Sequence, residues 1–258
     1  MKLFSLIVSG VALVAATSAF ASSEMRSFAP DNDLWQEDNL ESIPNVTEEL
    51  FNKVIDAALT VYNPIAKENH ESLKVNRRWT DSTVNANCRR SGGAVEINMY
   101  GGLARRDEVT PDAFALVLCH ELGHAYGGAP YIQVSSKMAA EGQADYYGSS
   151  ACLDAVYKVL PPNPSMIHTT DYTQQKCSER ASANSDDYNT CLRQLSAGQG
   201  LGNLLSALMK QDAPNYETPD PLVVKKTELS YPSTVQCRLD TYHNGILNMA
   251  RPACWYKN

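Results

Sequence analysis

The chain has 258 residues, 22 Lys and Arg against 29 Asp and Glu, a formal charge of −7 and 43% hydrophobic residues. This is a globular composition, not a disordered one, and the length suits one domain of ordinary core size. No basic stripe is available to neutralise phosphates or anionic headgroups, which argues against a nucleic-acid binder and against a polybasic membrane-surface protein.

In chain order, Lys2, an apolar run over residues 3–16 and the triplet Ala19-Phe20-Ala21 read as a secretory signal peptide cut after Ala21. The apolar run is too short for a transmembrane anchor, so an exported protein, periplasmic or extracellular, is expected. Residues 22–44 hold six acidic residues and two prolines. They read as an acidic N-terminal arm, extended or disordered, either a solvated tail or a short pro-segment. A single domain over residues 45–258 follows. Helical spacing over residues 45–62, with Asn45 and Glu48 as a capping pair, predicts a helix that Asn63-Pro64 ends. Alternation over residues 72–88 predicts short strands with a turn near Asp81-Ser82, and residues 94–100 a further strand after Gly92-Gly93.

Thr110-Pro111-Asp112 opens a strong helix over residues 113–126, stopped by Gly127-Gly128. Ser135 or Ser136 is expected to cap another helix running to about residue 160. Residues 161–185 read as loop-rich, 187–211 as a helix despite three glycines, and 233–249 as the last helix. The fold class expected is α+β, a small and mostly antiparallel sheet packed on helices, with a C-terminal helical part held by disulfides. Seven cysteines in an exported chain imply pairing with one left over. Cys119, in an apolar run in mid-helix, is the expected free thiol.

The chemistry is concentrated in His120-Glu121-Leu122-Gly123-His124. Residues four apart stand one above the other on a helix face, so both imidazoles reach one zinc ion, at about 2.0–2.1 Å. Glu121, beside the position left to water, is placed as general base. A third ligand is needed. The pattern HExxHxxGxxH fails, because its last position falls on Pro130. Glu141, in Glu141-Gly142-Gln143-Ala144-Asp145, supplies a carboxylate 17 residues after His124. A His₂Glu set holds one Zn²⁺ per chain and leaves one coordination position open, as catalytic zinc requires. Asp145 shares the helix face of Glu141 and is expected to orient a ligating imidazole.

These motifs resemble the gluzincin zinc peptidases, in particular soluble peptidase-domain relatives of the CAAX prenyl protease and heat-shock membrane protease family, whose pattern is HExxH followed by ExxAD. Residues 96–103, ending in Gly101-Gly102-Leu103, resemble that family's strand and turn before the site helix. Tyr231-Pro232-Ser233-Thr234 with Arg238 resembles its His-Pro-x-Thr…Arg element, with Tyr231 where the family has His. The resemblance spans about residues 94–240. It implies a zincin-like fold, a peptide or protein substrate and a zinc-dependent metalloendopeptidase. Arg238 is the favoured oxyanion donor ahead of Tyr231, Tyr242 and His243. His70 and His168 read as solvent-exposed. The strand over residues 94–99, were it an edge, would pair with an extended peptide. The rival reading is a non-catalytic, zinc-stabilised secreted binding module.

Overall fold

The structure is a computed structural model that describes residues 25–38 and 44–257. The expected signal peptide lies outside the described residues. Four strands form one sheet: β1 (Arg26–Ser27), β2 (Ser72–Arg78), β3 (Ala86–Ser91) and β4 (Ala94–Tyr100), in the order β1-β3-β4-β2. Gly92 and Gly93, both at positive φ, make the tight β3–β4 hairpin turn. β1 and β4 both run antiparallel to β3, whereas β2 runs parallel to β4. The predicted turn near Asp81-Ser82 therefore joins no hairpin. The chain there loops round the end of the sheet, and the carbonyls of Asp81 and Thr83 accept from the backbone N–H groups of Gly102 and Leu103. Gly101 and Gly102 are required at this crossing, because a Cβ on either would lie within 2.0 Å of the Trp79 or Ser82 carbonyl. The sheet is thus mixed, and β4 lies inside it. The expectation that residues 94–99 offer a peptide-binding edge is corrected: β1 and β2 are the edges.

Helix α1 (Glu48–Glu68) is capped by Thr47, whose hydroxyl accepts from Leu50 N, not by Asn45. It continues through Pro64, since Tyr62 and Ala66 lie on one buried face and their packing outweighs one missing hydrogen bond. A short α2 (Gly101–Ala104) precedes α3 (Pro111–Tyr126), which starts on its Thr110 cap with Pro111 in the first turn. Residues 111–125 are all buried. An apolar, fully enclosed helix of this kind is a domain's central rod.

After α3 the expected helix from Ser135 or Ser136 is replaced by a hairpin, β5 (Tyr131–Gln133) and β6 (Met138–Ala139). Helix starts only at α4 (Glu141–Tyr147) and continues through a π-helical turn (Gly148–Cys152) into α5 (Leu153–Tyr157). The loop-rich region contains a short helix, α6 (Asp171–Ser178), begun by a Thr170–Thr173 capping box. Helices α7 (Asp186–Met209) and α8 (Val235–Ile246) lie where the periodicity puts them. The main buried cluster takes side chains from Phe28 through to Ile246.

Two further expectations are corrected. Cys119 is not the free thiol: it bonds Cys152, while Cys177 bonds Cys191 and Cys237 bonds Cys254. Gly148 lets the π-helical turn approach the Cys119 backbone closely enough for the first bridge. Cys88, buried in β3, is the unpaired one. Three disulfides fit an oxidising, exported environment, and among the described residues no helix is long and apolar enough to cross a membrane. The described part of the acidic arm is not a solvated tail either. Residues 26 and 27 pair with β3, and Phe28 and Ala29 are fully buried.

Candidate metal centre

Two helices in close contact build the centre. A Cβ on Gly123 would lie 2.7 Å from the Ala144 carbonyl oxygen, so α3 and α4 cross backbone to backbone at the motif's own glycine. A second glycine, Gly142, admits the Trp255 ring against the outer side of α4, and the Cys237–Cys254 bridge ties that C-terminal tail to α8. The crossing brings Glu141, the first residue of α4, opposite His120 and His124. One ligand atom from each of the three lies within 4.8 Å of the other two.

The hydrogen bonds decide which atoms are free. His120 Nδ1 is 2.7 Å from Asp145 Oδ1, and His124 Nδ1 is 2.9 Å from the Ala139 carbonyl. An acceptor at Nδ1 fixes each neutral ring with its proton there and its lone pair on Nε2. Both Nε2 atoms, with Glu141 Oε2, are buried and have no hydrogen-bond partner. Each Nε2–Oε2 separation is 3.5 Å, too long for a good hydrogen bond. Unpartnered buried polar atoms are rare and call for an explanation. Here, two imidazole lone pairs and a carboxylate oxygen converge as a metal ion requires. Burial raises the Glu141 carboxyl, but positive charge on the two facing imidazoles outweighs it and lowers it to about 2. It is anionic at neutral pH, the state a ligand needs.

Glu121 lies at the same centre. It is fully buried, and neither of its carboxylate oxygens has a partner. Burial raises it to about 8 against the pull of His120. Asp145 sits beneath the cluster and receives the Arg238 guanidinium side-on, with Nε–Oδ2 and Nη2–Oδ1 both 2.8 Å. Burial alone would raise Asp145, but Arg238 and His120 hold it far below the carboxylate range. Arg238 is therefore committed to Asp145, and its remaining nitrogen, Nη1, donates to the Phe28 carbonyl at 2.7 Å. The favoured oxyanion donor thus serves in this structure as a positioning residue. Tyr231 donates to the Ser27 carbonyl. Tyr242 is buried without a hydroxyl partner. His243 faces a separate cavity, where its Nε2 meets the Tyr172 hydroxyl. His70 and His168 are exposed, as expected.

Two participants escape sequence reasoning. The Ala139 carbonyl carries no side-chain signal at all. Phe28, whose ring stands nearly perpendicular to that of His120 at a centroid distance of 5.4 Å, lies in a segment read as an acidic arm. Glu141→Ala removes one of three ligands. It is expected to lower metal affinity by more than the roughly 10–100-fold caused by losing an outer-shell partner, as calorimetric titration of the metal-free protein with zinc would show. Comparison with protein-family models, with curated proteins and with solved structures gives no match.

Proposed function

We propose that this chain is a zinc-dependent metalloendopeptidase of gluzincin type, working in the periplasm or outside the cell on peptide or protein substrates. The observation that carries this reading is the convergence of unpartnered His120 Nε2, His124 Nε2 and Glu141 Oε2 next to an equally unpartnered Glu121. Two imidazoles with one carboxylate form a donor set suited to zinc that leaves a coordination position open. A purely structural site would be closed by a fourth protein ligand and would have no use for a buried free carboxylate beside it. Bound there, zinc would polarise the scissile carbonyl and acidify water. The rest falls to the chain's own groups. Glu121 takes the proton of the attacking water and passes it to the leaving amine nitrogen. Asp145, neutralised by Arg238, holds the His120 ring in one tautomer and one orientation.

The test is hydrolysis of an internally quenched peptide blocked at both ends. The expected result is slow cleavage that stops after removal of zinc by a chelator and returns with about one equivalent of zinc per chain. Cleavage only of peptides with a free N-terminus would make the enzyme an aminopeptidase. Full zinc occupancy without cleavage of either would leave the binding-module reading.

A further inference from the structure

His120, Glu121, His124 and Glu141 are at most 1% exposed. A peptidase must admit a polypeptide, so something that can leave has to cover them. The chain's own residues 26–29 reach the centre, where the Phe28 ring meets His120 at a centroid distance of 5.4 Å and the Phe28 carbonyl accepts from Arg238. Arg26 and Ser27 pair antiparallel with Cys88 and Asn87 on the side of β3 away from β4. The ladder continues as Phe28 N donates to the Ala86 carbonyl at 3.0 Å. The Asn85 side chain then accepts from Ala29 N and donates to the Ala29 carbonyl. On the opposite side, the Tyr231 hydroxyl donates to the Ser27 carbonyl at 2.6 Å and Arg238 Nη1 to the Phe28 carbonyl at 2.7 Å.

These hydrogen bonds are made to the backbone of residues 26–29, which is how a groove grips an extended peptide. The Phe28 side chain is read closely. Phe28 is fully buried, its ring nearly perpendicular to that of His120 and its centroid 4.8 Å from the Arg238 guanidinium carbon. The chain beyond stays tied to the segment that leads into β3, with the Asn32 side chain donating to the Val84 carbonyl and Gln36 N to the Ser82 carbonyl, while Asp31 and Asp33 between them are exposed. We infer that residues 26–29 occupy the substrate groove as an internal pseudo-substrate. The protein folds latent, and the vacated edge of β3 takes an extended peptide carrying an aromatic side chain at the place of Phe28. This rests on the metallopeptidase reading and adds to it the mode of substrate binding and the means of control.

The experiment uses the full-length zinc-loaded protein with a recognition site for a sequence-specific protease inserted after Asp33. Two quantities are followed before and after cutting and removal of the freed fragment: the rate at which a chelator strips zinc, and the rate of peptide hydrolysis. A centre open only in a minor state is slowed by the open fraction, so both rates are expected to rise at least about tenfold. A synthetic peptide of residues 25–33 added back should restore the slow rates, and the same peptide carrying Phe28→Ala should not. Phe28→Ala in the uncut chain should speed both processes; where that variant does not fold, the cut protein decides. The inference is overturned if cutting leaves zinc removal unchanged, or if the cut chain unfolds, since residues 26–29 are then part of the fold. Faster zinc removal without hydrolysis in any form would uphold the occluding segment and sink the peptidase reading instead.

Discussion

Glu121→Gln is expected to lower peptide hydrolysis by roughly 10²–10⁴-fold, the usual contribution of a positioned general acid–base group, while zinc content stays at its wild-type level. The two side chains have the same shape, so the buried site is neither emptied nor overfilled. His120, His124 and Glu141 keep their positions, and so do the acceptors at both Nδ1 atoms. What the amide cannot do is take a proton from water. The expected effect therefore falls on kcat, with little change in KM. Glu121 also has nothing else to do: neither carboxylate oxygen is tied to the fold by a hydrogen bond, so the loss cannot be blamed on a broken structural contact. Metal analysis beside steady-state kinetics on the same preparation checks both halves. Loss of zinc together with activity would show that Glu121 supports the site itself. Unchanged hydrolysis would place the base elsewhere.

The site helix was legible because its signals are local. Thr110 and Pro111 open it, Gly127 ends it, and the four-residue spacing of His120 and His124 puts both rings on one face whatever the rest of the chain does. Glu141 and Asp145 were legible as a second pair at helical spacing, although the helix boundary expected around them was wrong. Contacts set by the tertiary path were not legible. The parallel pairing of β2 with β4 depends on how residues 79–85 pass round the sheet end, and no local turn residue announces that. The Cys119–Cys152 bridge depends on a close approach at Gly148, which an apolar neighbourhood around Cys119 conceals. The acidic arm misled for a related reason. Its average composition is that of a solvated tail, yet two residues in it, Phe28 and Ala29, carry the burial, and composition averages them away.

Removing the charge of Arg238 is expected to have the largest effect on stability. Arg238 and Asp145 are both fully buried and joined by two hydrogen bonds of 2.8 Å. Arg238→Met fills similar space but leaves a buried carboxylate without its cation, which costs about 3–5 kcal/mol, or a fall in Tm of roughly 6–20 °C for a chain of this size. The sign with pH follows from the depressed Asp145 carboxyl. A carboxylate held low in the folded state stabilises fully above its unfolded value of about 3.9. That contribution is lost only as pH falls through the lower folded value. The gap between wild type and variant should therefore narrow as the pH falls, because the stranded carboxyl of the variant takes up a proton more readily than the paired one. The double variant Arg238→Met, Asp145→Leu separates stability from function. With both charges gone no ion is stranded, and much of the lost stability should return. His120 Nδ1 would then have no acceptor, so zinc affinity should stay about 10–100-fold below wild type. Thermal melts of metal-free protein, set beside zinc titrations of wild type and both variants, measure the two effects independently. Recovery of stability and zinc affinity together would show that Asp145 does not hold the His120 ring for the metal.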